Sequence, residues 1–412
     1  MKLHAVAAGL ALAASAVTPV IAAEGQSPQG IHRLDHIWVL MMENHGYGQV
    51  VGNPNAPFIN KMAQTVNLAT NYFAVGHPSL TNYLEVVGGS NFGVLNDNSP
   101  DWHNAGCAPG IVSGVPNNEA NPAAICPIWG QGVDAATPAI DYTNEVSGTP
   151  GMPSTGAWNI DGTRSVGPAP TRGMTIADQL DAANSSWKSY QENLPLVGAD
   201  RVNNSDGVFV DTNDTTVLSN PKPTSSSVVA LYAVKHNPFV YFRSVQENGG
   251  LRKVVGFDGM DGLYADLRSG HVPAFSFIAP NQCNDQHGKS GMGVYCNSDP
   301  NDNGTQDGLN PGLIYRGDVA VQKIVGAIKG SRAWSEGHNA IVVVWDENDY
   351  SVNTPNHVLT LVETNYARNR VVSNNFYTHF SLLKTMESAL GLPCLNHACD
   401  SGVPVMADLF GQ

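Results

Sequence analysis

Ile37-Trp38-Val39-Leu40-Met41-Met42 is an unbroken apolar run that stops at Glu43-Asn44-His45-Gly46. A strand with one wet face alternates apolar and polar residues, so a continuous run predicts a strand covered on both faces, as in a parallel sheet. A second run, Ile341-Val342-Val343-Val344-Trp345, stops as abruptly at Asp346-Glu347-Asn348-Asp349. Further strands are expected at Phe239–Phe242, Ala274–Ile278 and Val358–Val362. Helical patterns intervene at Ala56–Thr65, Tyr83–Val87, Thr175–Ala183, Asp318–Lys329 and Phe380–Leu390, and Thr175 and Asp178 stand at capping-box spacing. Strands alternating with helices predict an α/β fold, a mostly parallel central sheet with helices on both faces.

Residues 1–23 read as a signal peptide: Lys2, an Ala-rich apolar run from Val6, then the small residues Ala22 and Ala23. Thr18 and Pro19 interrupt the run and weaken the competing reading of a membrane anchor. No later segment is apolar for the ~20 residues a bilayer requires, so stable membrane insertion is not expected. Export, to the periplasm or beyond, agrees with six cysteines that fall into near neighbours: Cys107 with Cys126, Cys283 with Cys296, Cys394 with Cys399. An even count in an exported chain reads as disulfides, and no C-x-x-C favours zinc. Residues 24–412 are expected to form a single domain. Within it, 97–172 is rich in Asn, Pro, Gly and Ser without periodicity, a loop-rich insertion pinned by a disulfide. The net charge of −14 argues against a nucleic-acid partner. It leaves a phosphorylated substrate open, because a local cationic centre overrides a distant acidic field. Oligomeric state is not legible.

Ligands of open α/β sheets bind beyond the carboxyl ends of the strands. Glu43 and Asn44 stand at one such end, Asp346 and Glu347 at another. Three carboxylates and an amide oxygen suit a hard divalent cation; either acidic strand end alone would read as a solvated loop or a helix cap. A nucleophile beside such a metal is offered by Gly76-His77-Pro78-Ser79-Leu80-Thr81-Asn82-Tyr83. There Ser79 precedes a helical stretch whose N-terminus favours an anion, although a serine in this setting is commonly a cap. Familiar alternatives fail on the residues. Gly76-x-x-Ser79 lacks the glycines of the G-x-S-x-G elbow, and Gly288-Lys289-Ser290 would end a P-loop but has Cys283 where its first glycine belongs. No H-E-x-x-H is present.

The string Val39-Leu40-Met41-Met42-Glu43-Asn44-His45-Gly46-Tyr47 resembles the opening of the bacterial phosphoesterase family, which holds secreted acid phosphatases, phosphatidylinositol-phosphate phosphatases and phosphocholine-type phospholipases C. His77-Pro78-Ser79-x-x-Asn82-Tyr83, Lys235-His236-Asn237-Pro238-Phe239, Asn284-Asp285-Gln286-His287, Trp345-Asp346-Glu347 and Tyr377-Thr378-His379-Phe380 continue the similarity in family order. The resemblance implies an alkaline-phosphatase-like fold, Glu43, Asn44, Asp346 and Glu347 as metal ligands, and Ser79 as nucleophile. It implies further that His236 and His287 contact phosphate or protonate the leaving group. Asn82 and His357 are candidates for substrate contact, and His45 and His379 are weaker ones. Two departures stand out: Thr81 replaces the proline usual in the acid-phosphatase branch, and Asn348-Asp349-Tyr350 replaces the glycine-rich continuation of the phospholipases. The expectation is therefore a secreted, metal-assisted phosphomonoesterase of acid-phosphatase type, acting on a phosphorylated small molecule or phosphoinositide through a phosphoserine. The alternatives are a phospholipase C-type phosphodiesterase and a catalytically dead exported protein that binds phosphate or metal.

Overall fold

The two apolar runs are neighbouring strands. The structure, a computed structural model, describes residues 24–108, 117–118, 123–133, 170–205, 231–349, 356–367 and 369–411. Its main sheet has eight strands: β1 (His36–Met42), β2 (Asn67–Ala69), β3 (Trp187–Gln191), β4 (Val254–Val255), β5 (Phe275–Ala279), β6 (Asn339–Trp345), β7 (Thr360–Thr364) and β8 (Val372–Ser373), in the spatial order β8-β2-β7-β6-β1-β5-β3-β4. Every neighbouring pair is parallel except those of β7, which runs against β6 and β2. The fold is α/β with a mixed, mostly parallel central sheet.

All seven residues of β6 are buried, as are six of the seven in β1. Burial at every position requires cover on both faces. Helices α1 (Pro57–Thr65) and α5 (Pro311–Lys329) pack on each other, and α2 (Ser79–Gly88) packs on α3 (Ile176–Ala182) and on α6 (His379–Leu390). At the start of α3, Thr175 Oγ1 accepts from Ala177 N while Asp178 Oδ2 accepts from Thr175 N, the reciprocal cap that the spacing predicted. Helix α5 begins seven residues before the expected Asp318, at Pro311, because Asn310 caps it through Gly312 N.

Two strand expectations change. Phe239–Phe242 is not a strand: Pro238–Tyr241 forms a 3-10 turn whose side chains are buried. A short apolar run does not by itself separate a strand from a buried turn, and Pro238 cannot donate to a ladder. The stretch expected at Val358–Val362 enters the sheet at Thr360 and runs antiparallel. The cysteines pair as their spacing suggested, Cys107–Cys126, Cys283–Cys296 and Cys394–Cys399. Parts of the 97–172 stretch fall outside the described residues, as does the whole of 1–23; the rest returns to the body of the fold, where Ile128 N donates to Tyr241 O. Among the described residues no helix is long and apolar enough to cross a membrane.

Leu40 lies in the centre of the sheet with no exposed surface, paired with Val343 on one side and Ile278 on the other. Leu40→Ala is expected to lower unfolding stability by about 2–5 kcal/mol, read as a shift in the urea midpoint. Val372→Ala, on an edge strand and 50% exposed, should shift it by less than about 0.5 kcal/mol.

Candidate active site

Register brings the two acidic strand ends together. Met42 of β1 pairs with Trp345 of β6, and Asp346 N donates to Met42 O at 2.9 Å, so Glu43 and Asp346 leave the sheet side by side. The loop after β5 closes the third side, where Glu43 N donates to Asp285 O at 2.9 Å. Ser79 is the first residue of α2; Pro78 offers no side-chain acceptor there, and Asp97 Oδ1 accepts from Leu80 N at 3.0 Å instead. The Ser79 hydroxyl lies 3.0 Å from Glu43 Oε2, 3.1 Å from Glu347 Oε1 and 3.5 Å from Lys235 Nζ.

Those contacts cannot all be satisfied by the protein alone. A hydroxyl carries one proton, so it donates to one carboxylate at a time. Glu43, Asp285, Asp346 and Glu347 are all essentially buried. Burial, reinforced by repulsion from Glu43, pushes Asp285, Asp346 and Glu347 well above the usual carboxylate range. Burial also raises Glu43, against the pull of Lys235. Buried Glu43 Oε1, Asp285 Oδ2, Asp346 Oδ2 and His236 Nε2 have no hydrogen-bond partner, and Glu43 Oε1 and His236 Nε2 stand 3.0 Å apart without the alignment of a hydrogen bond. Four unpartnered electron-rich atoms among buried carboxylates fit a divalent cation.

The unpartnered atoms belong to Glu43 and Asp346, which the sequence suggested as ligands, and to His236 and Asp285, which it did not. Glu43 and Asp346 each have an oxygen to give. His236 joins them: its Nε2 lies 3.0 Å from Glu43 Oε1, and its Nδ1 lies 3.3 Å from Asp285 Oδ2 without the alignment of a hydrogen bond. Glu347 is already engaged, with Oε2 accepting from His77 Nδ1 at 2.8 Å and Asn82 Nδ2 at 3.0 Å and Oε1 from Ser79. Asn44 sits at φ 55° and gives its backbone N–H to Asp346 Oδ1; its side chain makes no hydrogen bond among the described residues.

The remaining candidates separate by geometry. Lys235 has no lone pair, so His287 Nε2 must accept from it at 3.1 Å, and His287 Nδ1–H then donates to Gly288 O. Burial and Lys235 bring His287 down to about 3; the ring is neutral and holds Lys235. Asn82 is held by the protein: Oδ1 accepts from Val75 N and Gly76 N, and Nδ2 donates to Gly76 O and Glu347, which uses its full capacity. His357 stacks on Tyr47 and donates to Thr70 O, with no contact to the Ser79 cluster among the described residues. His379 holds Asp346 O through Nε2 and accepts from Tyr72 OH. His45 donates to Glu43 O and faces Asp299 at 2.8 Å.

Lys235, Asp97 and His77 were missed as site residues. Lys235 is almost engulfed: burial would lower its pKa, but Asp97, Glu43 and Glu347 outweigh this and hold it above the usual ammonium range. Its position next to His236 was the only available signal; a lone lysine has no spacing to read.

The sequence profile of the Phosphoesterase family matches residues 53–296. The chain belongs to the phosphoesterase family. The matched stretch holds Ser79, Lys235, His236 and Asp285, whereas Glu43, Asp346 and Glu347 reach this family's serine from outside it. Among curated relatives, the phosphatidylinositol-3-phosphatase of Mycobacterium tuberculosis is 23% identical over 94% of this chain and 87% of that protein. An acid phosphatase of Aspergillus fumigatus is 25% identical over 67% of this chain, which spans only 41% of that relative's length. A solved structure in the alkaline phosphatase superfamily, from Vibrio parahaemolyticus, aligns with 92% of this chain and 72% of its own at 12% identity and a TM-score of 0.44.

Mutual repulsion gives a test that needs no turnover. In chelator, Asp346→Asn is expected to melt higher than the parent, because one buried like charge is gone while Oδ1 still accepts from Asn44 and Glu347. With saturating divalent metal the order should reverse, since the variant has lost a ligand. A single order under both conditions, measured by thermal unfolding, would rule out Asp346 as a ligand.

Proposed function

We propose that this protein is an exported, metal-assisted phosphomonoesterase of the acid-phosphatase type, working through a phosphoserine on Ser79. The observation that carries the proposal is the Ser79 hydroxyl, at the N-terminus of α2, in contact with two buried carboxylates and within 3.5 Å of the Lys235 ammonium. Membership of the phosphoesterase family and distant relatives named acid phosphatase and phosphatidylinositol-3-phosphatase support phosphate monoesters, including phosphoinositides, as the substrate class. Three disulfides and the leader-like residues 1–23 support export.

A divalent cation held by Glu43, Asp346 and His236 would supply Lewis-acid polarisation of the phosphoryl group and a lowered pKa for the Ser79 hydroxyl. The chain's own residues do the rest. Ser79 Oγ forms the bond to phosphorus as the ester P–O bond breaks, and its proton passes to Glu347, which His77 and Asn82 hold in place. The Lys235 ammonium, held by Asp97 and His287, lies where charge builds on the transferring oxygens. Neither histidine suits the role of leaving-group acid. His287 Nε2 is occupied by Lys235, and both nitrogens of His236 face carboxylates. The departing alkoxide therefore takes its proton from solvent water, leaving hydroxide. A second water then hydrolyses the phosphoserine, its hydroxyl going to phosphorus and its proton to Ser79 Oγ, while the proton held by Glu347 neutralises the hydroxide left by the first; phosphate is released and the starting state restored.

Hydrolysis of p-nitrophenyl phosphate should exceed that of bis-p-nitrophenyl phosphate, vanish on chelation and return with a divalent ion; preference for the diester would move the protein to the phospholipase C reading. Ser79→Ala should lose nearly all turnover, and retention of more than a tenth of the parental rate, a loss below about 1.4 kcal/mol, would remove Ser79 as nucleophile. Lys235→Gln is expected to lower kcat by about 10²-fold or more, with a smaller change in KM.

A further inference from the structure

In the cleft that Lys235 and His287 line lies a cation that phosphoryl transfer leaves unused. A cleft of about 330 Å³ is lined by Lys235 and His287 together with Lys289, Asn203, Asn204 and Ser99. Lys235 is committed to Asp97, His287 and Ser79. Lys289 is not committed: its ammonium is half-buried and makes no hydrogen bond or ion pair among the described residues. It is near enough to Lys235, His236 and His287 for its charge to lower the pKa of both rings. Its backbone is fixed, since Lys289 N donates to Cys296 O inside the loop closed by Cys283–Cys296, and Gly288 ahead of it turns at φ 83°.

The other cleft groups match that charge. Asn203 Oδ1 accepts from Trp102 Nε1 at 2.9 Å, which leaves the Asn203 amide N–H groups free to donate. The carboxylate that lines the cleft, Asp97, is already neutralised by Lys235 at 2.8 Å and caps α2. In a chain of net charge −14, a cleft whose surplus charge is positive is a local exception. Half-burying an ammonium beside another one is unfavourable unless an anion occupies the space between. The Gly288-Lys289-Ser290 string is thus no P-loop, yet it places a lysine in the cleft lined by Lys235, whose ammonium meets Ser79.

We propose that this cleft is a subsite for a second phosphoryl group of the substrate, with Lys289 as the specificity-determining residue, so that phosphate monoesters carrying another phosphate a few bonds away are preferred. The proposal rests on the phosphomonoesterase reading of Ser79. With metal present, the ratio of kcat/KM for fructose 1,6-bisphosphate to that for fructose 6-phosphate should be about tenfold, the scale of one charge-assisted hydrogen bond. Lys289→Ala should bring the ratio to near one, chiefly through KM, and Lys289→Arg should keep most of it. Because the readout is a ratio, a general loss of activity in a variant does not enter. A parental ratio near one, or a ratio unchanged in Lys289→Ala, would overturn the subsite while turnover of p-nitrophenyl phosphate left the phosphatase reading intact. No turnover of any of the three substrates would overturn both.

Discussion

Like charge held at the ends of two inseparable strands is the constraint on which the site depends. β1 and β6 are paired along their whole length and buried, so Glu43 and Asp346 cannot move apart. Asp285 and Glu347 crowd the same space. Two unit charges about 4 Å apart interact by roughly 4 kcal/mol at the effective dielectric of a protein surface, and by more deeper inside. Lys235 is one ammonium against four carboxylates, and Asp97 already draws on it. The sheet's stability is thus set against this end of the strands, and a cation held there would relieve the conflict.

The groups around the cluster act to keep it from relaxing. Asn82 ties the Val75–Gly76 backbone to Glu347, His77 fixes the same carboxylate from the residue two before Ser79, and His379 grips the Asp346 carbonyl from the first turn of α6. Each is buried, and each uses its hydrogen-bonding capacity on the protein, not on solvent. A serine so placed needs no moving lid to meet its neighbours, which suits a reaction whose catalysis is mostly positioning and charge balance.

The electrostatics also reconcile an acidic chain with an anionic substrate. Field strength at a reacting atom is governed by charges within a few ångströms, because screening removes exposed charges beyond about 8 Å at physiological salt. Lys235 acts inside that radius of Ser79, and Lys289 lines the same cleft as Lys235. The bulk of the acidic residues act outside it.

Much of the fold was legible because its signal is local. Two continuous apolar runs announce strands buried on both faces, each ends at its acidic pair, and Thr175 with Asp178 marks a helix start within four residues. The same logic failed at Phe239–Phe242, where an apolar run serves a buried turn. The sequence by itself therefore determined the α/β layering, and its spacing and motifs suggested the disulfide partners and the serine and carboxylates of the candidate site. Only the tertiary structure brought His236 within 3.0 Å of an unpartnered Glu43 oxygen, turned Asn82 to Glu347 and His287 to Lys235, and set Lys235 between Ser79 and Asp97. The physical reason is that these roles are set by which donor meets which acceptor across sequence separations such as the 138 residues between Lys235 and Asp97. No local pattern of residue types encodes that alignment.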